Sequence, residues 1–283
     1  MLKGFWLTCR RSCGRGIYLF LSVIVAAGIC VISPEPTQAF SLPELILRGI
    51  QVIQLSNLSD RQEVTIGKQI NQQLTRGEVK IYGDRATTVY VNRIGQRLAE
   101  QSTRPNIPYT FQVIDDDNIN AFATMGGFVY VNKGLMAAAD NEAELASVIA
   151  HEIGHISARH SINQMRQMAI ASGLASAAGL DGSQAVQIGV ELALRRPHSR
   201  QAEYEADQLG LQTMGRAGYA QSAMVDFMKK LLNQPSPPSI LSTHPATSDR
   251  IAAISQAIDP DLASGEGLNN ADYKLEMRRL LRS

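Results

Sequence analysis

Asn141 to His160 reads NEAELASVIAHEIGHISARH and contains His151-Glu152-Ile153-Gly154-His155, an H-E-x-x-H. Residues four apart on a helix lie one above the other on the same face. The two imidazoles therefore stand side by side, spaced to share one Zn²⁺ at about 2.0–2.1 Å. Glu152 lies roughly 100° round the helix from His151. From there it can act as general base on a water in the site without being a ligand itself. The helix is legible without the motif. Asn141 can cap it, and Glu144 sits three residues later as in a capping box. Leu145, Ile149 and Ile156 recur at helical spacing with Ile153 beside them. No proline interrupts the run, and Ala143, Ala146, Ala150 and Ala158 favour helix.

Such a pair needs a third ligand, and the chain offers one downstream. Ser199 to Arg216, SRQAEYEADQLGLQTMGR, has the pattern of a second helix. Glu203 and Asp207 are four apart and share a face, which fits a third zinc ligand plus an acid that orients an imidazole. Glu205 reads as part of a solvated face. The 48 residues from His155 to Glu203 leave room to return through a helical hairpin. Residues 165–194 supply it: two helices packed closely through Ala and Gly over the cleft, or a plain hairpin. Met165 and Met168 read as core filler.

Upstream, Phe40 to Asn57 holds a Leu/Ile-rich segment suited to an amphipathic helix. A cap at Ser59 or Asp60 opens a helix to Leu74. Arg85 to Gln101 is another, with Val89, Ile94 and Leu98 expected inward. Pro105 and Pro108 break the chain. Tyr109 to Ile114 alternates as a strand, with Phe111 and Val113 on one side. Asp115-Asp116-Asp117-Asn118 reads as a turn, because it lacks the spacing and distal Glu of a calcium loop. Gly126-Gly127 allow a tight turn before a second strand, Phe128 to Val131. That strand leads directly into the metal helix. It is either the edge of a substrate cleft or an ordinary core strand. Downstream come a helix over Ala220 to Leu232, a proline-rich loop at 234–238, and a helix from Thr247 or Ser248 holding Arg250. A loop at 258–269 and a terminal helix at 270–282 follow. No repeat of 20–50 residues is present.

The 283 residues are enough for one large domain or two small ones. The formal net charge is +1. Without residues 1–39 the remainder carries 23 basic and 25 acidic residues, a balance of −2. That leaves no basic surplus for a nucleic-acid backbone. Residues 1–39 read as a secretory leader: basic residues, an apolar run from Ile17 to Ile32, then Thr37 and Ala39 placed for cleavage before Phe40. The rival is an uncleaved membrane anchor, for which the run is short. A lipoprotein is disfavoured by Ile29 before Cys30. Cys9, Cys13 and Cys30, the chain's three cysteines, all lie in this leader, so no disulfide is expected in residues 40–283.

The chain resembles the M48 peptidases. The matching pieces are NAFATMGGFVYVNKGLM, ELASVIAHEIGHISARH, SRQAEYEADQLG and STHPATSDRI, in that order, covering roughly residues 59–258. The resemblance implies an α+β, mainly helical zincin fold of the gluzincin type, with a small β-sheet beside the H-E-x-x-H helix. It implies an M48 metallopeptidase domain over residues 40–283, a catalytic module alone. It makes His151, His155 and Glu203 ligands of one Zn²⁺ per subunit, and Glu152 the catalytic base. Asp207 would orient a zinc-binding His or assist proton transfer. His244 falls where relatives place a histidine that can occupy the open zinc position and hold the enzyme latent. Met125 departs from the pattern, since many relatives have Pro before Gly-Gly. The longer metzincin pattern fails, because Ala158 and Ser161 stand where its Gly and His belong. His160 is one place early and reads as a cap or a solvent-facing residue. His198 reads as a surface residue, with donation to an oxyanion as the alternative.

The implied activity is that of a zinc-dependent metalloendopeptidase in envelope protein quality control, exported to the periplasm or another extracytoplasmic site. Its partners would be unfolded or misassembled polypeptides, with membrane association through residues 17–32 if the leader stays. The alternative is a zinc-containing, chaperone-like binding protein with a latent or blocked site. An intact Glu152 argues against that, because a structural zinc needs no base.

Overall fold

The computed structural model describes residues 52–281 apart from 54, 172–179 and 246. All of these fall within the unit Leu45–Ser283. The expected leader, its cysteines and most of the segment 40–57 lie outside the described residues, as does the small-residue stretch at 172–179. The described residues of the segment 40–57 hold no α-helix. Val52–Ile53 (β1) pairs antiparallel with a strand near residue 180, and Leu55–Asn57 is one 3₁₀ turn.

Ser59 caps helix α1, Asp60–Gln73, with a full capping box to Gln62. Asp84 caps α2, Arg85–Glu100. Val89 on α2 is 58% exposed, against the inward position expected of it. Val91, Ile94 and Leu98 make the buried stripe instead, since only that set keeps helical spacing. Three strands follow: β2 Thr110–Ile114, β3 Ala121–Thr124 and β4 Phe128–Asn132. Their order is β2-β4-β3, with β4 parallel to β2 and antiparallel to β3. Gly126 and Gly127 take φ of +80° and +94°, which only glycine adopts readily, and they close the β3–β4 hairpin with Met125 in place. β4 is buried on both faces. Val129 and Val131 face one core with Leu98, Leu145 and Ile149, while Phe128 and Tyr130 face a second with Ile70 and Met165. The sheet is thus a middle layer between helices.

A short helix, α3 Lys133–Ala138, intervenes before the metal helix, so β4 does not run straight into it. α4, Glu142–Ser157, starts at Asn141, whose side chain accepts from the Glu144 amide. Glu144 accepts from the Asp140 amide at 2.7 Å rather than from Asn141, so the expected box is displaced by one residue. The remaining elements are α5 His160–Ala171, β5 Leu180–Asp181, α6 Gly182–Arg195, α7 Arg200–Arg216, α8 Ser222–Leu232, α9 Ile240–Thr243, α10 Ser248–Ala257 and α11 Asn270–Leu280. α5 packs on α6 as the hairpin expected between the two metal helices. α4 and α7 cross at glycine: Gly154 lies on the Ala206 backbone and Gly210 on the His151 amide. No helix among the described residues is long and apolar enough to cross a membrane.

Candidate metal centre

α4 is buried on every side from Ala143 to Ile156, so its polar residues face other protein groups. His151 and His155 stand one turn apart with their Nε2 atoms 3.0 Å from each other. From α7, Glu203 brings Oε1 to 3.4 Å from His155 Nε2 and Oε2 to 3.6 Å from His151 Nε2. His244, just after α9, places Nδ1 3.3 Å from His151 Nε2 and 3.2 Å from Glu203 Oε1. Among the described residues these four form the one group of three or more that could hold an ion. A tetrahedron of ligands at about 2.0–2.1 Å has edges of about 3.3–3.4 Å, close to the distances seen here. Nitrogen and oxygen donors in that arrangement suit zinc.

The charges around His151, His155 and Glu203 favour the binding form. Asp207 Oδ1 is 2.9 Å from His151 Nδ1. Arg250, on α10, grips Asp207 with Nε to Oδ2 at 2.7 Å and Nη2 to Oδ1 at 2.6 Å. Its Nη1 is also 2.6 Å from Glu203 Oε2, an ion pair without hydrogen-bond geometry. Burial alone would raise the Asp207 carboxyl, but hydrogen bonds from Arg250 and His151 hold it below the usual range. Burial would also raise Glu203, yet the neighbouring imidazoles of His155 and His244 keep it well below that range. An ionised carboxylate only accepts, so His151 Nδ1 carries the proton and Nε2 keeps its lone pair for a cation. Burial, then the neighbouring His198, pushes His155 well below its ordinary value, which leaves it neutral. Burial would lower His244 too, but Glu152 and Glu203 outweigh it and raise it.

Glu152 has 0% exposure, and neither carboxylate oxygen has a hydrogen-bond partner. The nearest imidazole nitrogen across from it is His244 Nε2, 3.5 Å from Oε1 and outside hydrogen-bond geometry. Buried acceptors without donors mark a place where a donor belongs. A water or a substrate amide would fill it.

Two expectations from the sequence fail at this site. His160 neither caps nor faces solvent: it is buried, with Nδ1 2.8 Å from His155 Nδ1. His198 is half-buried rather than exposed: its ring stacks on His155 at 3.9 Å and 24°. Burial, then His244, pushes it down to about 3, so it stands neutral with Nδ1 unpartnered. Its amide donates to the Thr243 carbonyl at 3.0 Å, tying it to the loop that carries His244. Glu205 keeps its solvated side chain, 55% exposed, but also reaches His160. All five histidines of the chain meet in this one cluster. Their absence everywhere else was a signal available in the sequence. The Arg250 grip was missed as well, although two buried acids on one helix face demand a cation.

The strand at 128–131, β4, lies in the centre of the sheet, and β2 and β3 are its two edges. Beside β3 a depression is lined by Ala123, Thr124, Met125, His198, Thr243 and His244, with α5 and α6 also contributing to its wall. Across His244 lies an apolar pocket that includes Val148, Met224, Phe227 and Met228. His244 borders both hollows.

Comparison with known proteins agrees with this geometry. The Beta-barrel assembly-enhancing protease of Escherichia coli (strain K12) is 36% identical over 214 residues, 70% of this chain and 44% of its own length. The Mitochondrial metalloendopeptidase OMA1 of Schizosaccharomyces pombe is 30% identical over 222 residues, 73% of this chain and 66% of its own. Metalloprotease LoiP of Escherichia coli (strain K12) is 28% identical over 234 residues, 77% of this chain and 88% of its own. The chain thus spans less than half the length of the first relative and most of the last. The profile of Peptidase family M48 matches residues 85–258, a span that runs from α2 past Arg250 and takes in every donor of the cluster. With the two-helix donor set, the match and the relatives in agreement, this chain belongs to peptidase family M48.

Proposed function

We propose that this chain is a zinc-dependent metalloendopeptidase in which His151, His155 and Glu203 hold the ion and Glu152 is the base. The observation that carries the reading is Glu152: fully buried, unpartnered, and one residue from a metal-facing imidazole. Bound zinc would polarise the substrate carbonyl and lower the pKa of water in the site. Glu152 takes the proton from the attacking water and returns it to the leaving amine. Asp207, neutralised by Arg250, keeps His151 in the tautomer that faces the ion. β3 pairs on one side only in the sheet and is half-exposed at Ala123, which gives an extended peptide main-chain groups to align with beside the depression.

The substrates we infer are unfolded or misassembled polypeptides outside the cytoplasm, in envelope protein quality control. Two facts support this: the leader-like pattern of residues 1–39, and a relative named for enhancing β-barrel assembly. Glu152→Gln should keep zinc and lose hydrolysis of unfolded casein. Cleavage by that variant at the parent rate would refute the mechanism. A second reading, a latent or blocked site, is favoured by His244, which stands among the donors and opposite Glu152. If His244 holds the enzyme at rest, His244→Ala cleaves faster than the parent. Equal or slower cleavage rejects the latch.

A further inference from the structure

Each metal-facing imidazole has a second nitrogen, and the two are backed differently. His151 Nδ1 meets the Asp207 carboxylate. His155 Nδ1 meets another imidazole, His160 Nδ1, at 2.8 Å, and His160 Nε2 lies 3.2 Å from Glu205 Oε2. A neutral imidazole has one donor and one acceptor nitrogen, so two linked rings share a single polarity. When His155 Nε2 turns its lone pair to a cation, its Nδ1 carries the proton and donates to His160. His160 Nδ1 then accepts, and its own proton sits on Nε2, pointing at the Glu205 carboxylate. The opposite polarity puts a proton on His155 Nε2, 3.0 Å from His151 Nε2, where the ion belongs.

We propose that His160 is a positioning residue that holds His155 in its zinc-binding tautomer, with Glu205 setting the polarity from the solvent side. The proposal rests on the zinc reading above. The backbone is built to place it. Between the end of α4 and the start of α5, Arg159 takes φ of +59°, a left-handed conformation uncommon for a residue with a side chain. Its guanidinium is held by Glu63 at 3.1 Å and by the Leu58 carbonyl. That turn folds His160 back beneath His155, five residues on, where continued helix would carry it to a different face.

The test uses the purified chain with and without zinc. Zinc affinity is measured by chelator competition for the parent, His160→Leu, His160→Asn and Glu205→Ala. Thermal unfolding of each metal-free form serves as the folding control. Loss of a partner behind a metal-bound His weakens metal binding about 10–100-fold, and that is expected for His160→Leu. His160→Asn places an amide oxygen near the former ring Nδ1 and should recover affinity to within a few fold. Glu205→Ala should fall between parent and His160→Leu. Histidine ¹⁵N NMR of the zinc-loaded parent, with only five rings to assign, should find the His160 proton on Nε2. Parent affinity in His160→Leu, or Leu retaining zinc better than Asn, would show a packing role and overturn the proposal. So would a proton on His160 Nδ1 in the loaded protein. A parent that takes up no zinc overturns the metal reading itself, a separate result.

Discussion

Gly154→Ala tests the crossing of the two metal helices. A Cβ built at Gly154 would lie 2.6 Å from the Ala206 carbonyl oxygen and 3.0 Å from its Cα, both backbone atoms that cannot swing aside. Ordinary contact begins near 3.4 Å, so α4 and α7 must part by about 0.8 Å. Metal–ligand distances tolerate about 0.2 Å. The displacement falls between the imidazoles on α4 and Glu203 on α7, and it is several times that window. Overpacking of this kind costs about 1–3 kcal/mol, or roughly 2–4 °C in Tm per kcal/mol for a domain of this size. Calorimetry with zinc and with chelator, beside zinc titration, reads both effects. The variant should lose Tm in either condition and more with zinc, because the strain falls on coordination. Gly83→Ala, where a Cβ meets nothing within 4 Å, should leave zinc affinity unchanged. Parent zinc affinity and parent Tm in Gly154→Ala would refute the claim that this glycine sets the distance between ligands.

Arg250→Met removes the cation shared by Asp207 and Glu203. Breaking a buried pair costs about 3–5 kcal/mol, and zinc returns positive charge at Glu203. Denaturant unfolding should therefore show a larger loss in chelator than with zinc, and equal losses would count against the shared-cation account. Hydrogen bonds from Lys133, then Lys80, hold the Asp115 carboxyl at about 2 against 3.8 for a free one. A depressed carboxyl stabilises above its unfolded value and loses that contribution as pH falls. Lys133→Met should thus flatten the fall in stability between about pH 4 and 2, measured by acid titration of Tm. An unchanged acid slope would remove Asp115 from the account.

Helices were legible wherever local chemistry alone sets them. Ser59, Asn141, Ser199 and Thr247 cap as their side chains allow, and the helices they start run where apolar residues recur at helical spacing. Val89 shows the limit: an apolar residue can sit at a plausible register and still face water, because the neighbouring elements choose which stripe is covered. β3 was missed for a related reason. Four residues, Ala121 to Thr124, carry little strand signal until β4 pairs with them across the Gly-Gly turn.

At the site the division is sharper. The i, i+4 spacing put His151 beside His155, and Glu203 on a face with Asp207, before any fold was known, since a helix fixes those relations by itself. That Glu203 comes to 3.4 Å from His155, that Arg250 closes on both acids and that His160 and His198 turn inward could not be read the same way. Glu203, Arg250 and His198 reach this point from segments tens of positions away, across a crossing of helices at Gly154, and His160 reaches it through a left-handed turn at Arg159. Backbone periodicity carries no information about such meetings. Loop closure and packing of buried faces decide them.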